Sequence, residues 1–257
     1  MKQSNLLIFL QLTLFFSLAS CKKEAIENQI IEEPGSIFTP GAGVTYAGYH
    51  YPSIVLGNGQ EWMAQNLNTT QYNDGTAIPL VTDQNQWAAN YSNGTTLPMM
   101  CWYNNDQATY TANTFGALYN WYAVSPTTNG NRNVCPTGWH VPSDAEWSVL
   151  INYLDPNANG GNTNPNVAGG KMKSTGTQFW QGPNQDATNE SGFSGLPGGG
   201  RNYSATFSVI GNFGYWWSST ENSTNNAWFR NLSYANGYVV RNSDNKNSGF
   251  SVRCLRD

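Results

Sequence analysis

Charge is scarce in this chain. Aspartate, glutamate, lysine and arginine supply 11% of its 257 residues, where about a quarter is usual. The balance is slightly acidic, at −4, and no basic cluster occurs, which argues against nucleic acid as a partner. Histidine is scarcer still, with His50 and His140 alone. There is no HExxH, no GxSxG and no P-loop. No CxxC or Cys/His pair has metal-ligand spacing. No cofactor and no metal is therefore expected. Amides, hydroxyls and rings take the place of charge. Aromatics reach 14%, and asparagine, glycine, serine and threonine are plentiful. So many rings argue against disorder. Two readings of them remain open: faces for sugar stacking, or the core of a loop-rich fold.

The N-terminus is apolar in a different way. Lys2 precedes a stretch from Leu6 to Leu18 that is broken only by Gln11, Thr13 and Ser17. It is shorter than the roughly 20 residues that cross a bilayer, but it suits a signal peptide. Leu18-Ala19-Ser20-Cys21 follows and closely resembles a bacterial lipobox. Residues 1–20 are expected to be removed. Cys21 would then carry a diacylglycerol thioether and an acyl amide, enough chains for stable membrane attachment. Residues 21–43 read as a polar tether. Its start, Lys22-Lys23-Glu24, resembles the surface-export signals of Bacteroidetes lipoproteins, and it also reads as a plain solvated spacer. The expected location is the cell surface, lipid-anchored in the outer membrane.

One domain is expected from residue 44 to 257. Ser53–Leu56 and Gln60–Met63 flank Asn58-Gly59 and read as a hairpin. Residues 64–100 read as mostly irregular. Phe115, Leu118, Tyr119 and Tyr122 suggest a helix over 114–124. Ser143 and Glu146 form a capping box before Trp147, Leu150, Ile151 and Leu154, and Pro156 ends that helix. Ala168–Lys173 suits a short helix. From Tyr215 the pattern turns to β: Tyr215–Ser219, Ala227–Leu232, Tyr238–Arg241 and Gly249–Leu255 read as strands. Helices ahead of a C-terminal antiparallel sheet indicate an α+β, loop-rich class with two or three helices.

Five segments occur in a distinctive order: Gly59–Leu67, Gly116–Trp121, Cys135–Pro142, Trp216–Glu221 and Gly249–Cys254. Together they resemble the Fibrobacter succinogenes major paralogous domain, a family common in Bacteroidetes and Fibrobacteres lipoproteins. That likeness implies membership and no particular activity. Cys-Pro-x-Gly-Trp before a helix and a terminal Phe-x-x-x-Cys strand are also similar to the C-type lectin fold and its formylglycine-generating relatives. The latter use a reactive cysteine pair near the end of the fold, whereas Cys254 stands alone there. Three cysteines beyond Cys21 permit one bridge and one free thiol. The lectin-like likeness implies Cys135–Cys254 as the bridge, leaving Cys101.

Function classes stay open at this point. Calcium-dependent lectin motifs (Glu-Pro-Asn, Gln-Pro-Asp, Trp-Asn-Asp) are absent. A non-catalytic carbohydrate site could be built from Asn202, Trp217, Glu221, Asn222, Asn226 and Trp228, with rings against sugar C–H groups and amides against hydroxyls. The same tryptophans could instead be core, and the asparagines loop caps. A protein-interaction subunit of an outer-membrane assembly or adhesin is the alternative, and an enzyme with an unrecognised site is a third. His140 reads as a structural hydrogen-bonder rather than a base.

Overall fold

A computed structural model describes residues 36–257. The expected signal peptide, Cys21 and most of the expected tether lie outside the described residues. Among those described, no helix is long and apolar enough to cross a membrane.

The architecture is α+β and loop-rich, with mostly antiparallel strands in four sheets. The first sheet has five strands in the order Phe38–Pro40, Ser53–Leu56, Glu61–Met63, Leu255–Arg256, Trp139–His140. The hairpin forms as its turn chemistry predicts. Ile54 faces Trp62, and Gly59 takes φ +88°, a left-handed backbone that glycine adopts without strain. The folded part begins ahead of Val44. Phe38 is buried beside Trp62 and Phe193, and its strand pairs with Ser53–Leu56, so that stretch of the expected tether belongs to the domain.

The capping box is present in full. Ser143 Oγ accepts from Glu146 N at 3.2 Å and Ser143 N donates to Glu146 Oε2 at 2.7 Å. Helix Asp144–Leu154 buries Trp147, Leu150, Ile151 and Leu154, the stripe its 3.6-residue period sets.

The 114–124 segment is not one helix. Thr114 and Gly116 have φ of +59° and +75°, Leu118–Asn120 is a strand, and only Trp121–Val124 is helical. Every residue from Ala117 to Val124 is buried, so hydrophobic spacing there carries no information about which face is turned inward. Residues 64–100 hide helix Gln84–Ser92, capped by Asp83 Oδ1 accepting from Gln86 N at 2.7 Å. It buries only Trp87 and Asn90, too little for a visible stripe. With Gln107–Ala112 and Ala168–Met172 the helices number five among the described residues, more than the two or three expected.

Strands Phe213–Glu221, Asn226–Ser233 and Val239–Asn245 make a long antiparallel sheet. Alternation sends Trp216 and Trp217 to opposite faces, and both faces are covered. Trp216 joins Trp62, Trp147 and Phe193 in one core cluster; Trp217 joins Tyr119, Phe229 and Phe250 in another. The run Gly249–Leu255 is split. Gly249–Phe250 pairs with Leu118–Asn120 in a second five-stranded sheet, and Leu255–Arg256 then pairs with Trp139–His140 in the first. Cys254 lies on this crossing and is bonded to Cys135, 119 residues away. Cys101 is free and buried.

Candidate functional site

The long sheet and the second sheet border a cleft of about 280 Å³. Register explains its lining. Residues directly opposed on antiparallel strands share a face. Tyr215 opposes Asn231, and Phe229 opposes Asn242. Asp244 opposes Ala227 two places further along. These side chains form one wall. Gly200, Asn202, Ser208 and Phe250 form the other.

The floor is aromatic. The Tyr215 ring stacks on Phe250 with centroids 4.9 Å apart and planes at 23°. Phe229 meets Tyr215 edge-on at 5.7 Å, and Phe213 continues the stack at 5.9 Å. The rim is polar. Asn202 Oδ1 is held by Thr206 N at 2.8 Å, and Asn242 Oδ1 by Ser243 N at 2.8 Å. Asp244 Oδ1 accepts from Asn245 N at 2.7 Å. Among the described residues the Asn231 carboxamide and the Tyr215 hydroxyl have no hydrogen-bond partner in the protein. Burial raises the pKa of Asp244. Burial, together with the charge of Asp244, pushes Tyr215 up to about 12. The lining thus carries one carboxylate and no histidine or cysteine, whereas glycoside hydrolysis ordinarily needs a carboxyl pair.

Of the six residues singled out from the sequence, Asn202 alone lines this cleft. Trp217 is fully buried, and its Nε1 donates to Tyr119 O at 2.9 Å, so it offers no ring face to a ligand. Trp228 is the one of ten tryptophans that escapes burial. It lies on the opposite face of the sheet, and its ring is covered by the Arg241 guanidinium at 3.3 Å. Glu221 is paired with Lys246 at 2.8 Å. Asn222 Nδ2 donates to Ser243 Oγ at 3.0 Å, and Asn226 O closes the hairpin end by accepting from Asn222 N at 2.9 Å. These three sit at the far tip of the sheet. Tyr215 and Asn231 lie in strands read from the sequence but are not singled out there, whereas Asn242 and Asp244 are missed because the expected strand ends too early. Ending the third strand at Arg241 leaves Asn242 and Asp244 in a loop, though the strand runs to Asn245. The period-two pattern of Phe229 and Asn231 was the available signal.

His140 is structural. Its Nδ1 lies 2.6 Å from Asp257 Oδ1 and its Nε2 2.9 Å from Glu146 Oε1. Burial alone would lower its pKa, but hydrogen bonds to both carboxylates outweigh it and hold the value above the usual one.

Four of the five sequence segments meet elsewhere, in the core. Asn66 Oδ1 accepts from Trp216 Nε1 at 2.8 Å and from Arg253 Nη2 at 2.7 Å. Asn66 Nδ2 donates to Phe115 O at 2.8 Å, just ahead of Gly116. A Cβ on Gly116 would lie 2.6 Å from Leu67 O, so the close approach requires glycine there. The model of the Fibrobacter succinogenes major domain matches residues 55–256. The chain belongs to that family. No curated protein and no solved structure matches it. Four of the segments that carry the family likeness therefore build the buried hub around Asn66, and the fifth, Cys135–Pro142, is tied to the terminal run by the disulfide and by strand pairing. They contribute only Phe250 to the cleft.

Proposed function

We propose that this chain is a surface-exposed bacterial lipoprotein whose domain binds carbohydrate without turning it over. The observation that carries the reading is the cleft itself, an aromatic floor rimmed by amides of which Asn231 is unsatisfied within the protein. The half-buried Tyr215, with its ring edge and unpaired hydroxyl, suits the C–H groups and hydroxyls of a sugar, and the free Asn231 carboxamide suits further hydroxyls. The C-type-lectin-like likeness belongs to the same proposal, with a terminal run bridged to an earlier element. A protein ligand for an outer-membrane assembly is the competing occupant.

Affinity electrophoresis through polysaccharide gels, followed by calorimetry, tests the site. Dissociation constants of about micromolar to millimolar are expected. Asn231→Ala removes one hydrogen-bonding group and should weaken binding about 2- to 10-fold, with the melting temperature unchanged. Tyr215→Ala should abolish retardation. Acid should weaken binding as Asp244 is protonated. Because burial raises its pKa, that loss should begin at higher pH than for an exposed aspartate. Full binding by the Asn231→Ala and Tyr215→Ala variants together would remove the site, and turnover of a glycan would remove the non-catalytic reading.

Anchoring is tested separately. Cys21→Ser removes the acyl acceptor, so the protein should shift from a carbonate-resistant membrane fraction to the soluble one. A variant that stays membrane-bound to the same degree would overturn the lipoprotein assignment.

A further inference from the structure

We infer that the cleft is the first of two adjoining hollows, so that its ligand is an uncharged oligosaccharide rather than a single sugar. The inference rests on the carbohydrate reading above and extends it to ligand size and charge. A second hollow of about 500 Å³ opens between the end of helix Gln84–Ser92 and the hairpin tip at Thr224 and Asn225. Tyr91, Thr96, Tyr122 and Asn225 are among its walls, and no Asp, Glu, Lys, Arg or His lines it. Among the described residues, the side chains of Thr96, Tyr122 and Asn225 have no hydrogen-bond partner in the protein. They are neutral donors and acceptors free for a ligand.

Two links join the hollows. Asp244 and Asn245 are consecutive on the edge strand of the long sheet and point to opposite faces of it, so the first lines one hollow, the second lines the other, and a ligand chain would pass between them round that edge. Asn202 lines the first, and the next residue, Tyr203, packs against Tyr91 of the second with centroids 4.6 Å apart and ring planes tilted by 48°. Those two rings are 40% and 46% exposed. The pair thus presents a partly exposed aromatic step where a sugar chain would pass from one hollow to the other. Asp244 is the single Asp, Glu, Lys, Arg or His across both linings, so the linings offer an anionic polysaccharide no cation.

Calorimetry on the full chain in detergent tests this, with β-1,4-linked glucose, mannose and xylose oligomers of increasing length and oligogalacturonate as the acidic comparison. Affinity in at least one neutral series should rise from disaccharide to hexasaccharide and then level off, with oligogalacturonate weaker. Asn225→Ala, at an exposed tip, should weaken hexasaccharide binding about 2- to 10-fold and leave disaccharide binding unchanged. Tyr91→Ala should behave alike, and Asn225→Ala keeps the test decisive if Tyr91→Ala misfolds. Binding that depends on Asn231 but is flat with length and indifferent to Asn225→Ala would overturn the second hollow and leave the carbohydrate reading standing. Failure of every oligomer to bind the unmodified chain would overturn both. Tighter binding of oligogalacturonate would overturn the charge assignment.

Discussion

Asp144→Ala is expected to cost about 3–5 kcal/mol of stability and to lower the melting temperature by about 10 °C or more. Asp144 opens the capped helix, where a negative charge is favoured by the helix dipole, and it serves two cations. Arg230 Nη1 donates to Oδ1 at 2.7 Å. Arg241 Nε and Nη2 grip the carboxylate at 2.9 Å each. The Arg230 side chain is 0% exposed and that of Asp144 17%. Removing the carboxylate leaves a buried guanidinium with only the Asp144 carbonyl, Ser148 Oγ and Phe229 O for company. An uncompensated buried charge is what makes such a deletion costly. Asp144→Ala combined with Arg230→Met should therefore cost less than Asp144→Ala alone. Thermal melts of these two variants and of Arg230→Met alone check this, and additive losses would contradict the pairing argument.

Acid provides a second readout of the same group. Burial alone would raise the pKa of Asp144, but hydrogen bonds from Arg241 and Arg230 outweigh it and hold the value below normal. Its contribution to stability is thus fully present above the ordinary aspartate pKa. It is lost as pH falls through the depressed value in the folded state. The unmodified protein should lose this increment below about pH 4, and Asp144→Ala should show a correspondingly flatter acid limb.

Local rules were legible in the sequence, and long-range consequences were not. The Asn58-Gly59 hairpin and the Ser143–Glu146 capping box involve residues a few positions apart, and both appear as expected. Helix Gln84–Ser92 shows no stripe because one ring, Trp87, anchors it. The segment 114–124 looks helical because burial on all sides produces any spacing one seeks. Trp217 was a candidate platform, and it is buried, as is its neighbour Trp216 on the other face of the sheet. Their burial on opposite faces depends on two separate sheets and a helix covering both sides, which no local pattern encodes. The cleft is the extreme case. Asn202 was found, but its partners Tyr215, Asn231 and Asp244 reach it only through the register of three strands.

The other large effect is expected from the disulfide. Replacing Cys135 and Cys254 by alanine should cost about 2–5 kcal/mol, and the chain-entropy model puts a loop of 119 residues near the top of that range. At roughly 2–4 °C per kcal/mol for a domain of this size, the melting temperature should fall by about 10 °C. The placement of the bridge sharpens the expectation. Cys254 sits between Arg253, which binds the Asn66 hub, and Leu255, which pairs with both Trp62 and His140. The native terminal run is therefore held by its own hydrogen bonds without the bridge, and the folded state should keep its structure. The loss should appear in the melt and in denaturant midpoint, with carbohydrate retardation retained at low temperature. Cys101 offers an internal comparison. It is buried, and burial pushes its thiol up to about 12, so it should resist alkylation until the protein unfolds. A non-reduced peptide map should show Cys135 joined to Cys254. An unchanged melting temperature after complete reduction of that bond, confirmed by alkylation of both sulfurs, would show that the terminal run is secured by its strand pairing alone.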